Sequence, residues 1–565
     1  MKTVLRATTV WQKSVFGIFI TFAVAMHTAA ILPAPEFGPP TLVNNDGLTD
    51  GDPISLLFES DDRPAVATDG QGNWVTVWRK RDHWSSGMGN YPDYDILSAH
   101  SSDNGHTWSD PVKVIPIPSS DFVWEDHPSI ATDGKGVWIV VWDSNQYEQS
   151  SFSEDVASKY RPTGDSEVMF AKSTDFGATW STASTIITNA GTDDQDDIEP
   201  SIRTNRRGVW EVAWIEAGSL DNTFAVCARS TDGNTWSEPV TLGEMRGQDY
   251  GISGRAQGVW LETDEQGNWI AAWHHTEMRA VRSNDNGQTW STPVEIPLRQ
   301  RTGLSYGGNL ATDKAGHWVL VWEGEVSWSN ESFFVSRSED NGATWSDPEA
   351  IAGSTGENLR AKTPVVATDG WGNWCLFSGA EQATLSGLRR VQSISYSTDN
   401  GATWTEPGQL HPDLGLINIG GITSYSPGIA TDRVGNWVFV TATNITFDTP
   451  DGSENDIIAY IAEASLSPSG WPDSDGDNFS DYFELLIIDH DPFDTISGFE
   501  EVSPDDDFDG DGMTNLQEFT YRTSPTSPDA PLPASRALYL LLTAFPVAVL
   551  GVYILRSSRR PRISL

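Results

Sequence analysis

Ser101-Ser102-Asp103-Asn104-Gly105-His106-Thr107-Trp108 is the stretch that decides the architecture of this chain. Its pattern, Ser-x-Asp-x-Gly-x-Thr-Trp, returns at Ser173–Trp180, Ser283–Trp290, Ser338–Trp345 and Ser397–Trp404, and one residue short at Ser230–Trp236. An Asp, a Gly and a Trp at one fixed spacing describe a single hairpin turn built six times: the carboxylate closes the turn and the indole pins it. A second motif alternates with the first. It reads Ala-Thr-Asp-Gly-x-Gly-x-Trp and continues into alternating apolar residues. Its tryptophans are Trp74, Trp138, Trp210, Trp269, Trp318, Trp374 and Trp437, 49 to 72 residues apart. That period is the length of a propeller blade.

Each unit reads as a strand (Pro128-Ser129-Ile130-Ala131), an Asp133-Gly134 turn, a strand (Trp138–Trp142), a third strand, the eight-residue turn, and a fourth strand such as Pro111–Val114. Asp-Gly between alternating runs is a strong hairpin signal, and four antiparallel strands make one blade. Seven tryptophan hairpins meet six eight-residue turns. The seventh unit has a third strand, Ile457–Leu466, with no such turn after it. Phe37–Val43 resembles the segments that follow each turn, such as Trp108–Val114. The N-terminal segment is therefore expected to supply the missing outer strand and close the ring, which removes its exposed edges. The expected fold is all-β, a β-propeller of seven four-stranded blades; six blades with one irregular insertion is the alternative.

The chain has 565 residues, enough for one large domain with appendages. Its 79 acidic residues outnumber 35 basic ones, for a net charge of -44. Such a surface repels a phosphate backbone, which excludes nucleic acid as a partner. The two cysteines, Cys227 and Cys375, fall in different repeats and read as small buried hydrophobes.

The ends read as targeting elements. Residues 1–30 carry Lys2, Arg6 and Lys13, an apolar run from Val15 to Met26, and the small residues Thr28-Ala29-Ala30, the pattern of a secretory signal peptide. Residues 537–555 are nineteen positions without a charge, followed by Arg556, Arg559, Arg560 and Arg562. That length suits one transmembrane helix with its basic end cytoplasmic. With Pro531-Leu532-Pro533 before it, this tail (531–565) resembles the C-terminal sorting tails of secreted bacterial proteins, which are sometimes removed. The expected location is therefore the outer cell surface, anchored or released after C-terminal processing.

Between the propeller (31–466) and the tail lies an acidic segment, 467–530. Positions 471–530 hold seventeen Asp and Glu against a single Arg522. Asp507, Asp509, Asp511, Gly512, Asn515 and Glu518 match positions 1, 3, 5, 6, 9 and 12 of an EF-hand loop, with the Met513 carbonyl at position 7. Asp473, Asp475, Asp477, Asp481 and Glu484 match the same frame, with Asn478 at the turn and the Phe479 carbonyl at position 7. Ca²⁺ needs six or seven oxygens, which alternate side chains of a tight loop supply. The segment resembles the Asp-rich calcium repeats of bacterial surface stalks.

The eight-residue turn is the Asp-box of the sialidase superfamily, and residues 37–466 resemble that family. The resemblance implies a retaining exo-α-sialidase with an arginine triad for the substrate carboxylate, a Tyr nucleophile helped by a Glu, and an Asp acid/base. Carried onto this sequence, Arg63 in Arg63-Pro64 and Arg389-Arg390 before the sixth box would clamp the carboxylate of a sialylated or related acidic glycan. Asp93 would be the acid/base, Glu199 in Glu199-Pro200 would assist, and Tyr425 in Tyr425-Ser426 would attack. No arginine stands where the second triad member is expected, since Trp214–Gly218 contains none. A non-catalytic surface propeller that binds glycan or protein is the alternative. Arg63, His127 and Glu199 hold corresponding places in successive blades and are expected around one funnel mouth.

Overall fold

The computed structural model describes residues 35, 37, 40–44, 60–86, 89–115, 124–145, 166–187, 195–218, 223–245, 258–274, 277–296, 305–327, 330–351, 359–370, 372–384, 387–410, 427–433, 435–443, 456–463, 487, 502–508, 510 and 512–515. The fold is all-β. In blade 1, the strands Ser60–Thr68, Trp74–Ser86, Gly89–Ser101 and Val112–Lys113 pair antiparallel in chain order. The same arrangement recurs in blades 2 to 6, whose inner strands are Trp124–Thr132, Asp196–Thr204, Trp260–Thr263, Ser305–Thr312 and Leu359–Thr368. Blades 1 and 2 are joined in one sheet by a parallel bridge between Tyr94 and Trp124.

Blade 7 begins at Gly428–Thr431 and ends on the N-terminal strand Thr41–Leu42, which pairs with Ile458 and Ala459. Phe37 bridges Ala462 and packs edge-on against Phe377 of blade 6, with ring centroids 5.0 Å apart. Seven four-stranded units are thus present among the described residues, the last closed by the chain's N-terminal segment. The two cysteines are free and buried.

The second strand of each unit explains why the ring holds. Trp138–Asn145 is buried at every position, because alternate side chains serve the two neighbouring blades. Trp74 and Trp78 pack with Val438, Val440 and Ile457 of blade 7, whereas Val75 and Val77 pack with Trp138 and Trp142 of blade 2. Seven such apolar clusters occur, one at each junction between consecutive blades, the last joining blade 7 to blade 1. This is the layout of a seven-bladed propeller.

The Asp-boxes act across these junctions. In the first, Asp103 accepts from the Thr107 amide (2.8 Å) and hydroxyl (2.6 Å), and the Gly105 amide donates to Ser101 Oγ at 2.9 Å. In the second, the Trp180 indole donates to Ser98 Oγ of blade 1 at 2.8 Å. Gly177 in that box has φ +78, and a Cβ there would come within 2.9 Å of Val75. Glycine is required both by the backbone and by the close approach of the preceding blade. Each box therefore fastens its own hairpin and seats it on the preceding blade.

Candidate active site at the channel mouth

The seven inner strands line one central cavity of about 390 Å³. In every blade a threonine marks the same level, from Thr68 to Thr431. The residue five places before it stands at the mouth: Arg63, His127, Glu199, Gly258, Gly307 and Thr363. Charged side chains from blades 1 to 3 thus face glycine and threonine from blades 4 to 6. The mouth is polarised, with chemistry on one side and room on the other.

These positions share an unusual backbone. Arg63, His127, Glu199 and Thr363 have φ of 55, 51, 54 and 41°, and each precedes a proline at a register shift in its strand pair. A left-handed non-glycine residue costs roughly 1–3 kcal/mol, and such strain collects at functional sites. The bulge aims each side chain into the cavity rather than along the sheet.

A charged network fixes these side chains. Arg79 grips Asp62 with two hydrogen bonds of 2.7 and 2.6 Å and reaches Asp126 at 2.6 Å. Arg63 lies 3.1 Å from the same Asp126. Burial would raise the Asp126 carboxyl, but Arg63, the His127 imidazole and Arg79 outweigh it and hold the group well below the usual carboxylate range. His127 Nδ1 lies 2.7 Å from Asp143 Oδ1, and its Nε2 points at Glu199 Oε1, 3.7 Å away. The Glu199 amide donates to the same Asp143 oxygen at 3.1 Å. Burial and Arg63 pull the imidazole pKa down, yet Asp126, Asp143 and Glu199 together leave it raised above 6.5. His127 and Glu199 therefore stand as an acid–base pair in ion-pair contact at the cavity wall.

The residues just before the marker threonines are mostly alanine, with Arg203 and Glu262 as exceptions that pair at 3.0 Å. At the floor, Arg206 donates to the carbonyls of Thr68 (2.8 Å) and Asp69 (3.1 Å) and lies 3.5 Å from Glu265. It passes over the turns of Gly70 and Gly134, where a Cβ would stand 3.6 and 3.2 Å from its guanidinium. Lys314 pairs with Glu265, and Arg433 donates to the Thr312 carbonyl at 3.3 Å. Burial, Arg433 and Arg206 push the Lys314 ammonium well below its ordinary value. Arg206 and Lys314 thus share the Glu265 carboxylate at the floor, with Arg433 close enough to Lys314 to act on its charge.

Of the residues singled out in the sequence, Arg63 and Glu199 line the cavity. Asp93 pairs with Asp82, and Arg389 and Arg390 pair with Gln382 and Glu381, all toward the mouth end of their blades. The side chains of Asp93, Arg389 and Arg390 lie outside the described residues, as does Tyr425. Arg279, in the blade after the one that lacks the expected arginine, sits on a third strand and pairs with Glu295 at 3.2 Å, away from the cavity. The sequence reading passed over Asp62, Arg79, Asp126 and Asp143. Its available signal was the repeat of Asp62-Arg63-Pro64 as Asp126-His127-Pro128.

In the acidic segment the Asp507 carboxylate accepts from the Gly510 and Gly512 amides (2.8 and 2.9 Å), and the Asn515 amide donates to the Asp506 carbonyl at 2.7 Å. Gly512, at position 6 of the loop frame, has φ +98. Asp507 and Gly512 thus stand at the first and sixth positions of the expected loop frame. Asp473, Asp475, Asp477, Phe479, Asp481, Glu484, Asp509, Asp511 and Glu518 lie outside the described residues. Among the described residues no helix is long and apolar enough to cross a membrane; residues 1–30 and 537–555 are not among them.

No family model matches the chain. It is 28% identical over 246 residues to a xyloglucanase from Paenibacillus sp., covering 40% of this chain and 22% of that protein. The chain therefore spans less than a quarter of that relative's length. Among solved structures, it superposes on a protein of unknown function from Dyadobacter fermentans with 14% identity and a TM-score of 0.41, covering 76% of this chain and all of that one. The Hadza microbial sialidase Hz136 gives 14% identity and a TM-score of 0.38 over 62% of this chain and 66% of its own. The GH93 α-L-arabinofuranosidase of Fusarium graminearum gives 13% and 0.38 over 76% and 97%.

Proposed function

We propose that the chain is a glycoside hydrolase working at the channel mouth. The observation that carries this reading is the presentation of Arg63, His127 and Glu199 from one strained pre-proline position in three successive blades into a single cavity. The segment similar to a xyloglucanase lends it support. Asp143 fixes the imidazole, and the His127–Glu199 pair delivers a proton to the glycosidic oxygen as the bond to the anomeric carbon breaks. The same pair then takes a proton from a water molecule as its oxygen bonds to the anomeric carbon. In the sialidase form of this reading, Tyr425 attacks the anomeric carbon and passes its phenolic proton to Glu199 while Asp93 protonates the departing oxygen; water then displaces the tyrosyl group with Asp93 taking its proton, and Arg63, Arg389 and Arg390 bind the sugar carboxylate. Arg63 is already engaged by Asp126, so a substrate carboxylate has to compete for it.

Export through residues 1–30, a membrane anchor at 537–555 and Ca²⁺ in the two acidic loops complete the proposal. Calcium bound there supplies charge compensation and order to a segment that repels itself, far in sequence from the mouth.

The test is turnover of a fluorogenic sialoside, an arabinofuranoside and xyloglucan, beside Glu199→Gln and Tyr425→Phe. Hydrolysis lost in Glu199→Gln supports the mouth as the site, and loss in Tyr425→Phe supports the sialidase form. Absence of turnover on all three by folded protein favours the second reading, a glycan-binding propeller. The engagement of Arg63 by Asp126, and of Asp143 by His127 and the Glu199 amide, speaks for that reading.

A further inference from the structure

Trp124 stands out among the described aromatic side chains. It opens the inner strand of blade 2, three residues outward of His127, and is 41% exposed. The two other exposed large hydrophobics, Phe176 and Val240, lie away from the mouth, in an Asp-box turn and an outer strand. Trp124 is also held firmly. Its ring meets Tyr94 edge-on with centroids 5.5 Å apart, and the Arg79 guanidinium covers the Tyr94 ring at 4.5 Å. Arg79 is in turn clamped by Asp62 and Asp126, the network behind the mouth. An indole locked in this way has lost little further freedom to a ligand, which is the condition for a pre-formed binding surface.

Position and charge select the ligand. Three residues of extended chain put Trp124 at most about 10 Å from His127, one to two sugar rings outward. The network at the mouth carries four carboxylates (Asp62, Asp126, Asp143 and Glu199) against Arg63 and Arg79, with His127 the further cation when protonated. The chain as a whole carries -44. A negatively charged sugar meets repulsion at both scales. The C–H face of an uncharged ring, by contrast, gains from covering an exposed indole.

We infer that Trp124, braced by Tyr94 and Arg79, is an outer sugar subsite that makes the mouth a site for extended neutral glycans rather than terminal acidic sugars. The inference deepens the hydrolase reading, and it rests on the mouth being where glycan binds.

Calorimetric titration of the Glu199→Gln protein, which keeps the sugar intact, with cellohexaose, arabinohexaose and 3′-sialyllactose tests it. A neutral hexasaccharide should bind at least tenfold more tightly than sialyllactose. Trp124→Ala in that background should weaken the neutral sugar roughly tenfold, and Trp124→Tyr should restore most of the loss. Oxidation of Trp124 by N-bromosuccinimide, read by mass spectrometry, should be blocked by the bound sugar. Equal affinity in Trp124→Ala, tighter binding of sialyllactose, or no binding of either neutral sugar would overturn the inference. Turnover is read separately: binding that depends on Trp124 without hydrolysis by the parent sinks the hydrolase and keeps the subsite. Hydrolysis of a neutral glycan indifferent to Trp124 does the reverse.

Discussion

Gly287 in the fourth blade's Asp-box lies so close to Glu211 that a Cβ on the glycine would fall 1.7 Å from Glu211 Oε1. The other blades place Val75, Ile139, Ile270, Val319 or Val438 under the corresponding glycine. Blade 3 alone places a carboxyl there, at 1% exposure. Burial is the main cause of its pKa rising to about 9; Arg229 lowers it and Asp285 raises it further.

Glu211 therefore folds as the neutral acid. Because the folded state holds this proton more tightly than the unfolded chain, the contribution of Glu211 to stability is fully present below pH 4.5 and is lost as pH rises toward about 9. Thermal melts between pH 5 and 9 should show that decline. Glu211→Gln should flatten it and gain about 1–3 kcal/mol at the alkaline end. A melt profile with the same slope in the variant would remove Glu211 as its cause.

Asp143 sets the state of His127. Its replacement by Asn removes one of the carboxylates that raise the imidazole pKa, so that pKa should drop, with Arg63 and burial then prevailing. The histidine ring resonances followed by NMR across pH 5 to 8 report the shift directly. The alkaline limb of any activity profile should move the same way, because the proton held by the His127–Glu199 pair is lost earlier. Trp214, whose indole donates to Asp197 rather than Asp143, should leave both unchanged when replaced by Phe.

Glu265 is the carboxylate that Arg206 and Lys314 share at the floor. Glu265→Gln leaves Arg206 and Lys314 facing each other without it, and should cost about 1–3 kcal/mol in urea unfolding. Combining it with Lys314→Met should recover part of that loss, since one of the repelling cations is gone.

Calcium should order the acidic segment. Limited proteolysis with and without a chelator is expected to show cleavage within 471–530 only when calcium is withdrawn. The propeller melt should change little. Glu518→Gln, which removes the carboxylate at the last position of the second loop frame, should reproduce the chelator's effect around 507–518. Equal cleavage in both conditions would discount the metal.

The Asp-box and tryptophan motifs made the blades legible because each encodes a local turn and a buried alternating strand, both set by near neighbours. The closing strand was legible too, through the likeness of Phe37–Val43 to Trp108–Val114. The mouth was only half legible. Arg63, His127 and Glu199 share a place in the repeat, but Arg79 and Asp143 act from second strands, and Asp126 reaches blade 1 from blade 2. Such contacts cross between blades, where no spacing in the sequence records them. The floor was invisible for the same reason. Arg206, Lys314 and Arg433 sit in ordinary turn positions and acquire meaning only when the ring brings them together.

Thr41 and Ala459 are neighbours in blade 7 although 418 positions separate them along the chain. The last junction therefore cannot form until nearly the whole propeller has been synthesised, and early blades must wait with one flank unsatisfied. A topology dominated by such distant pairings folds slowly. In reverse, release of a two-residue strand would be the easiest first step in opening the ring. Mechanical or chemical stress is thus expected to part the molecule between its first and last blades, beside the wall that carries Arg63.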